Sequence, residues 1–294
     1  MTVSKRFILL TLVAMFCAFS LTGIVQPAEA APVVLKFAGQ NPPEHFATVS
    51  MNEIAKEVAQ KTNNRVQIKV FPANQLGDYS LVYEELIRGT VEMACISFPS
   101  QFDNRMDLIY VQGYTSSYEQ VANVYDPNGW FFKKMDEFNS RLGVKLLGMY
   151  LEGMVGIGTV KPMKEPLNPK VDKGLLLRIP NMDVFKTALE GAGFRTISIP
   201  FADVYQSMQT GVCDGDTGYS IVAAYTTFGD VIKHWYNFNK NTECLGIMIS
   251  DKVWKKLSAE DRKVLQQAVS KQAALSITNA KANDQKYLDL MKKK

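Results

Sequence analysis

Along the first hundred residues, short apolar runs alternate with amphipathic stripes, and this alternation narrows the possible folds more than any other feature. Val33-Val-Leu-Lys-Phe-Ala38 reads as a buried strand, Val66-Gln-Ile-Lys-Val-Phe71 as a second ended by Pro72, and Val91 to Ser97 as a third. Between the first two, Phe46 and Val49, then Met51, Ile54 and Val58, recur at spacings of three and four within Glu44 to Lys61, which predicts a helix. A further helix is expected over Tyr79 to Arg88, stopped by Gly89. A β-α-β-α-β order implies a parallel sheet with helices on both faces.

The rest of the chain continues in the same style. A helix is expected over Asp126 to Leu142 and a strand over Val144 to Leu151. Gly153, Gly156 and Gly158 then precede Pro162, Pro166 and Pro169, and the glycines read as a crossing between lobes where the backbone turns freely. They lack the GxGxxG order of a dinucleotide loop. A second α/β run follows: strand Leu175–Ile179, helix Met182–Leu189, strand Phe194–Ile199, helix Asp203–Gln209 and a strand near Val212. Val231–Phe238 and Leu245–Ile249 read as further strands. Ser258 to Lys294 reads as a long helix opened by Ser258-Ala-Glu-Asp261, which resembles a capping box. The expected class is α/β, with two lobes and a late return of the chain.

Residues 1–30 read as a secretory signal peptide: Lys5 and Arg6, an apolar run from Phe7 to Val25, and Ala28-Glu-Ala30 as a small-x-small cleavage site. The apolar run is also long enough for a membrane anchor, but its position and the cleavage motif favour removal near Ala30. A soluble, exported chain is therefore expected, and the family resemblance below implies the periplasm. The formal net charge is +4, and removing the leader takes away Lys5, Arg6 and Glu29. Such a weak balance gives no case for nucleic acid or a membrane surface. Cys95, Cys213 and Cys244 lack CxxC spacing, so neither structural zinc nor a dithiol motif is supported, and small core residues are expected.

One arginine stands out. In Gly174-Leu-Leu-Leu-Arg178-Ile-Pro180 it ends an apolar strand just before a proline, followed by Phe201-Ala-Asp-Val-Tyr205 and Gln209-Thr-Gly-Val-Cys-Asp214-Gly215. A guanidinium grips a carboxylate through two parallel hydrogen bonds, so a receptor for a small organic anion is expected. Taken alone, Arg178 also fits a strand-end salt bridge, and Phe201 a core aromatic. Asp214 and Asp216 around Gly215 read as turn chemistry rather than an acid–base pair. The only histidines are His45 and His234, and the HExxH, GxSxG and GxxxxGK[ST] patterns are absent from the sequence, so an enzyme is not expected. A secreted α/β hydrolase or isomerase is the alternative from another class.

Several segments together resemble the substrate-binding subunits of tripartite ATP-independent periplasmic (TRAP) transporters, of the C4-dicarboxylate-binding type. They are Phe71-Pro-Ala-Asn-Gln75-Leu-Gly77, Arg88-Gly89-Thr-Val-Glu-Met93, Lys173 to Pro180, Pro200 to Tyr205 and Gln209 to Gly215. The resemblance implies two α/β lobes flanking a ligand cleft, with crossing strands and a long C-terminal helix. The lobes would be 31–152 with 244–280 and 153–243 with 281–294. It implies Arg178 as the carboxylate grip and Phe201 as a pocket wall. Lobe-one contacts are expected from Gln40, Tyr79, Ser97 and Phe98, and Met154 is a candidate facing the cleft. The expected partners are a small organic carboxylate and the membrane permease, with no cofactor, no metal, no nucleic acid and a monomeric chain.

The sequence departs from the family at three places. After Asp214-Gly215, where the family often has Glu and then Asn or Pro, this chain has Asp216-Thr-Gly-Tyr219, so Gly218 or Tyr219 is expected to replace the Asn contact. The Gly153-Met-Val-Gly156 segment lacks the second arginine of some members. The chain also ends where the family usually continues, so a shortened C-terminus is expected. The missing arginine argues against a sugar acid or a tightly held dicarboxylate. With Phe98, Phe201 and Tyr219 as candidate walls, a monocarboxylate with an apolar or aromatic tail, such as a 2-oxo acid, is expected. A C4-dicarboxylate is the alternative ligand, and a sensor-associated receptor the alternative role.

Overall fold

A computed structural model describes residues 31–238 and 241–293. The leader reading for residues 1–30 lies outside these residues. In chain order the first elements are β1 (Val33–Gly39), α1 (Phe46–Lys61), β2 (Val66–Phe71), α2 (Tyr79–Arg88) and β3 (Met93–Ile96). Next come α3 (Tyr118–Val124), α4 (Trp130–Arg141), β4 (Val144–Thr159), β5 (Leu176–Ile179), α5 (Asp183–Gly191), β6 (Arg195–Ser198) and α6 (Val204–Thr210). The chain closes with β7 (Gly215–Ser220), α7 (Ile221–Phe228), β8 (His234–Tyr236), β9 (Thr242–Ser250), α8 (Asp251–Lys256) and α9 (Ala259–Lys293).

Local chemistry sets the boundaries. Asp78 caps α2 by accepting from the Ser80 amide, and Gly89 ends that helix in the left-handed region at φ 82°. Ser258 caps α9: its Oγ accepts from the Asp261 amide at 3.0 Å and donates to Asp261 Oδ2 at 2.7 Å. The capping reading thus holds at the atomic level.

The strands run in the order β2-β1-β3-β9-β4-β7-β5-β6, with β8 on β4. In the first lobe β1 pairs in parallel with β2 and β3. In the second, β5 pairs in parallel with β6 and β7. The two returning strands, β4 and β9, are antiparallel to each other and to their neighbours. β4 changes partner midway: it pairs with β9 as far as Met154 and with β7 from Val155. Every residue of β4 except Lys145 is buried, as is all of β9, as expected of strands covered on both faces. Helix α9 then spans the molecule. Leu265, Ala268 and Val269 pack with Leu35, Phe37 and Ile247, whereas Tyr287, Leu288 and Met291 pack with Tyr219, Phe228 and Ile232. Burying a Leu or Val side chain contributes about 1.5–3 kcal/mol, so α9 ties the two cores together.

Two expectations are corrected. The glycines after Gly153 do not form a free crossing but continue β4 to Thr159. Gly156 is required there by contact, because a Cβ on it would lie 2.2 Å from the Trp235 ring. No strand forms at Val212, which is half exposed in a turn after the left-handed Gly211; the strand starts at Gly215. Cys95, Cys213 and Cys244 are buried free thiols. No helix of the described residues is long and apolar enough to cross a membrane.

Candidate functional site

The strand-end arginine is placed by sheet register. Arg178 lies opposite Ile197 of β6 on one side and Asp216 of β7 on the other. Its neighbours Leu177 and Ile179 are buried apolar residues, and Arg178 itself is only 3% exposed. The Nε–H donates to the Ile199 carbonyl at 2.7 Å, and Nη1 donates to Asp216 Oδ1 at 3.4 Å. The guanidinium carbon stands 5.8 Å from the centre of the Phe201 ring. These two bonds occupy two of the five N–H donors of the fork. Asp216 is therefore not turn chemistry but the strand partner of Arg178. It is wholly buried, and its Oδ2 has no partner. Burial pushes its carboxyl up to about 6, against the pull of Arg178. Asp214 takes the bland role, accepting from the Leu176 amide and pairing with Lys161.

A cleft opens beside this pair, with about 420 Å³ of empty space including its mouth. The enclosed cavity is only about 20 Å³, room for little more than one water. The walls therefore stand nearly shut. Of the expected site residues, Arg178, Phe201, Tyr219, Gly218, Gln40, Ser97 and Tyr79 all line it. Phe98 and Met154 do not. The Phe98 ring is buried against Gly246, and its carbonyl accepts from the Tyr110 hydroxyl. Met154 is buried, and its amide donates to Asp284 Oδ2 at 2.8 Å.

Gln40 and Ser97 hold each other. Gln40 Nε2 donates to Ser97 Oγ at 3.1 Å, and its Oε1 accepts from the Ser97 amide at 2.9 Å. This pins the ends of β1 and β3 together. Tyr79 opens α2, and burial raises its hydroxyl to about 12, so it stays protonated. Tyr219 packs on Phe228 and Trp235, and its hydroxyl has no partner. Gly218 sits at φ 92°, with the Phe185 ring 3.1 Å from where its Cβ would be.

The sequence reading missed Asn41, Tyr110, Glu152, Met182, Phe185 and Glu243, which also line the cleft. Glu152 and Glu243 are the informative pair. The β4–β9 register slips between Leu151 and Gly153, leaving Glu152 as the extra residue of a bulge, and Gly153 faces Glu243. Gly218 is likewise the extra residue where β7 slips against β4. Bulges re-aim side chains in this way near functional sites.

Asn41 Nδ2 donates to Glu152 Oε1 at 2.5 Å, and Ser97 Oγ donates to Glu243 Oε1 at 2.7 Å. Burial raises Glu152 to about 7. Burial, reinforced by the charge of Glu152, raises Glu243 well above the carboxylate range. His45 Nε2 stands 3.8 Å from Glu152 Oε1. Burial holds that imidazole at about 3, so the approach is a neutral ring facing a carboxyl and not an ion pair. Its Nδ1 accepts from the Ala47 amide. Among the described residues, no group of three or more His, Cys, Asp or Glu is placed to hold a metal ion. A buried arginine, an aromatic rim and a pair of buried carboxyls thus line one small cleft.

Known proteins resemble this chain over most of its length. The family described as bacterial extracellular solute-binding protein, family 7 (DctP), matches residues 37–294. A solute-binding protein of Chromohalobacter salexigens is 25% identical over 264 residues, covering 85% of this chain and 75% of that one. The C4-dicarboxylate-binding periplasmic protein DctP of Rhodobacter capsulatus is 25% identical over 275 residues, covering 90% and 79%. Among solved structures, a TRAP periplasmic solute-binding protein from Shewanella oneidensis with bound succinate superposes at TM-score 0.80. It is 23% identical, with 89% of this chain and 85% of that one covered. A Polaromonas protein bound to D-erythronate gives TM-score 0.81 at 20% identity, covering 89% and 86%. The chain belongs to the family 7 bacterial extracellular solute-binding proteins, the periplasmic solute receptors of TRAP transporters.

Proposed function

We propose that this receptor captures a small organic acid by its carboxylate on Arg178 and delivers it to the membrane permease. The observation that carries the reading is the half-used guanidinium, buried in the cleft wall beside Phe201 with N–H donors left for a guest. We further propose that the lobes are 31–152 with 244–280 and 153–243 with 281–294, and that they part to admit ligand. Closing around a guest removes water and strengthens the guanidinium–carboxylate pair in a lower effective dielectric. Ligand favours the closed form only through contacts that the open form lacks.

Within that class, a monocarboxylate is preferred over a C4-dicarboxylate. Among the described residues lining the cleft one arginine is available, Asp216 already draws on it, and Glu152 and Glu243 bring no positive charge to hold a second carboxylate. Tyr79, Tyr110, Phe185, Phe201 and Tyr219 offer the aromatic surface for an organic tail. The related structures were solved with succinate, D-erythronate and other sugar acids, so dicarboxylates and hydroxy acids are the competitors to test. Native mass spectrometry of freshly purified protein should find a retained acid of low mass. The Arg178→Ala protein should lose it, with affinity lowered by about 2–5 kcal/mol. Near-unchanged affinity in calorimetry would reject the role of Arg178.

A further inference from the structure

The charges around the cleft do not balance for a plain anion. Among the described residues Arg178 is the one cation lining it, and Asp216 already lies at its Nη1. Glu152 and Glu243 face the same space, and among the described residues neither has a Lys or Arg within ion-pair distance. Apart from the free N–H groups of Arg178 and the Tyr79 and Tyr219 hydroxyls, the neighbouring donors bond within the protein. Gln40 and Ser97 bond each other, Ser97 Oγ donates to Glu243, and the Tyr110 hydroxyl donates to a backbone carbonyl. Acceptors are left over as well. Asn41 is 2% exposed and lines the cleft, its Nδ2 is committed to Glu152, and its Oδ1 has no partner.

We propose that the acid carried by this receptor bears a cationic nitrogen, an ammonium or amidinium, which sits against Glu152, Glu243 and Asn41 Oδ1 while its carboxylate rests on Arg178. An ammonium brings three donors and no acceptor, which matches a wall rich in unmet acceptors. Its charge offsets a buried carboxylate that otherwise has no counter-ion. A hydroxyl brings one donor and no charge. A second carboxylate or a 2-oxo group brings only acceptors, and no positive charge that lets Glu152 or Glu243 ionise. The cation is not a metal, since the described residues group no metal-binding set here. The inference rests on the carboxylate reading above and names its ligand class.

The test is a calorimetric panel on the purified wild-type protein. The probes are straight-chain acids of two to six carbons, each as the unsubstituted, amino, hydroxy, oxo and dicarboxylic form. The tightest binder should be an amino acid form, about tenfold or more tighter than its hydroxy counterpart. In Glu243→Gln that amino form should weaken about tenfold, while the unsubstituted acid of the same length gains affinity. Glu152→Gln should shift the ratio in the same direction. Wild-type preference for a hydroxy, oxo or dicarboxylic form would overturn the inference, as would an unmoved ratio in both variants. If acids bind and Arg178→Ala abolishes binding, but no amino preference exists, only this inference fails. If no member of the panel binds, the carboxylate reading falls with it.

Discussion

Replacing Arg178 with alanine should do more than weaken a ligand, because the arginine also screens a buried acid. Asp216 is wholly buried, accepts from Arg178 Nη1 and the Thr217 amide, and sits at about 6. Its ordinary value in an unfolded chain is 3.8. In the wild type this raised group removes stability as pH climbs from 3.8 to about 6, after which native and unfolded states are both ionised. Without Arg178 the native carboxyl titrates higher still, and loss of stability continues past pH 6. One pH unit corresponds to about 1.4 kcal/mol, so each unit by which the carboxyl rises past 6 adds about 1.4 kcal/mol of cost, accrued as pH climbs from 6 to the new value. Adding Asp216→Asn removes the titrating group and should erase that slope. Urea unfolding of the ligand-free wild type, Arg178→Ala and the double variant at pH 6, 7 and 8 gives the numbers directly. A cost for Arg178→Ala that is the same at all three pH values would refute the reasoning.

The other outcomes follow from single contacts. Glu243 is raised well above its ordinary value of 4.5 by burial, so it destabilises the native state increasingly as pH rises from there. Ligand-free Glu243→Gln should therefore melt higher than wild type, with a gap that is wider at pH 8 than at pH 5; a constant or shrinking gap in thermal unfolding contradicts this. His45, held at about 3, titrates in the opposite sense but is common to both proteins and cancels in the difference. Gly156→Ala places a methyl within 2.2 Å of the Trp235 ring and should lower unfolding free energy by about 1–3 kcal/mol; denaturation within 0.5 kcal/mol of wild type would show that the ring moves freely. Cys95, Cys213 and Cys244 are buried and burial raises all three thiols, so a thiol reagent at pH 8 should label them only after denaturant is added.

The first-lobe strands and helices were legible because each carries its own punctuation: Pro72 after β2, Asp78 and Gly89 around α2, Ser258 before α9. The second half of β4 was not. Its glycines signal a turn locally, yet here they admit Trp235 and Tyr219 against the strand, and only the tertiary fold supplies those rings. Val212 misled for the converse reason, since a lone apolar residue in a turn resembles the edge of a strand. Arg178 was readable from the strand-to-proline step and the motifs around it. Its partner Asp216 was not, because the pairing joins strands 38 residues apart. Glu152 and Glu243 left no mark in the sequence. Glutamate is ordinarily a surface residue, but a one-residue slip leaves Glu152 as the extra residue of a bulge, and Glu243 lies in a strand buried along its whole length. Phe98 and Met154 show the reverse limit: they lie one and two residues after the cleft residues Ser97 and Glu152, but their side chains belong to the core.

A crystal structure of the protein holding its co-purified or best-binding acid tests the account at its centre. The predicted result is a guest carboxylate within hydrogen-bond distance of free N–H groups of Arg178, with Phe201 and Tyr219 against its body. A guest whose carboxylate is held by other groups, with Arg178 still bonded only to Ile199 and Asp216, would contradict it.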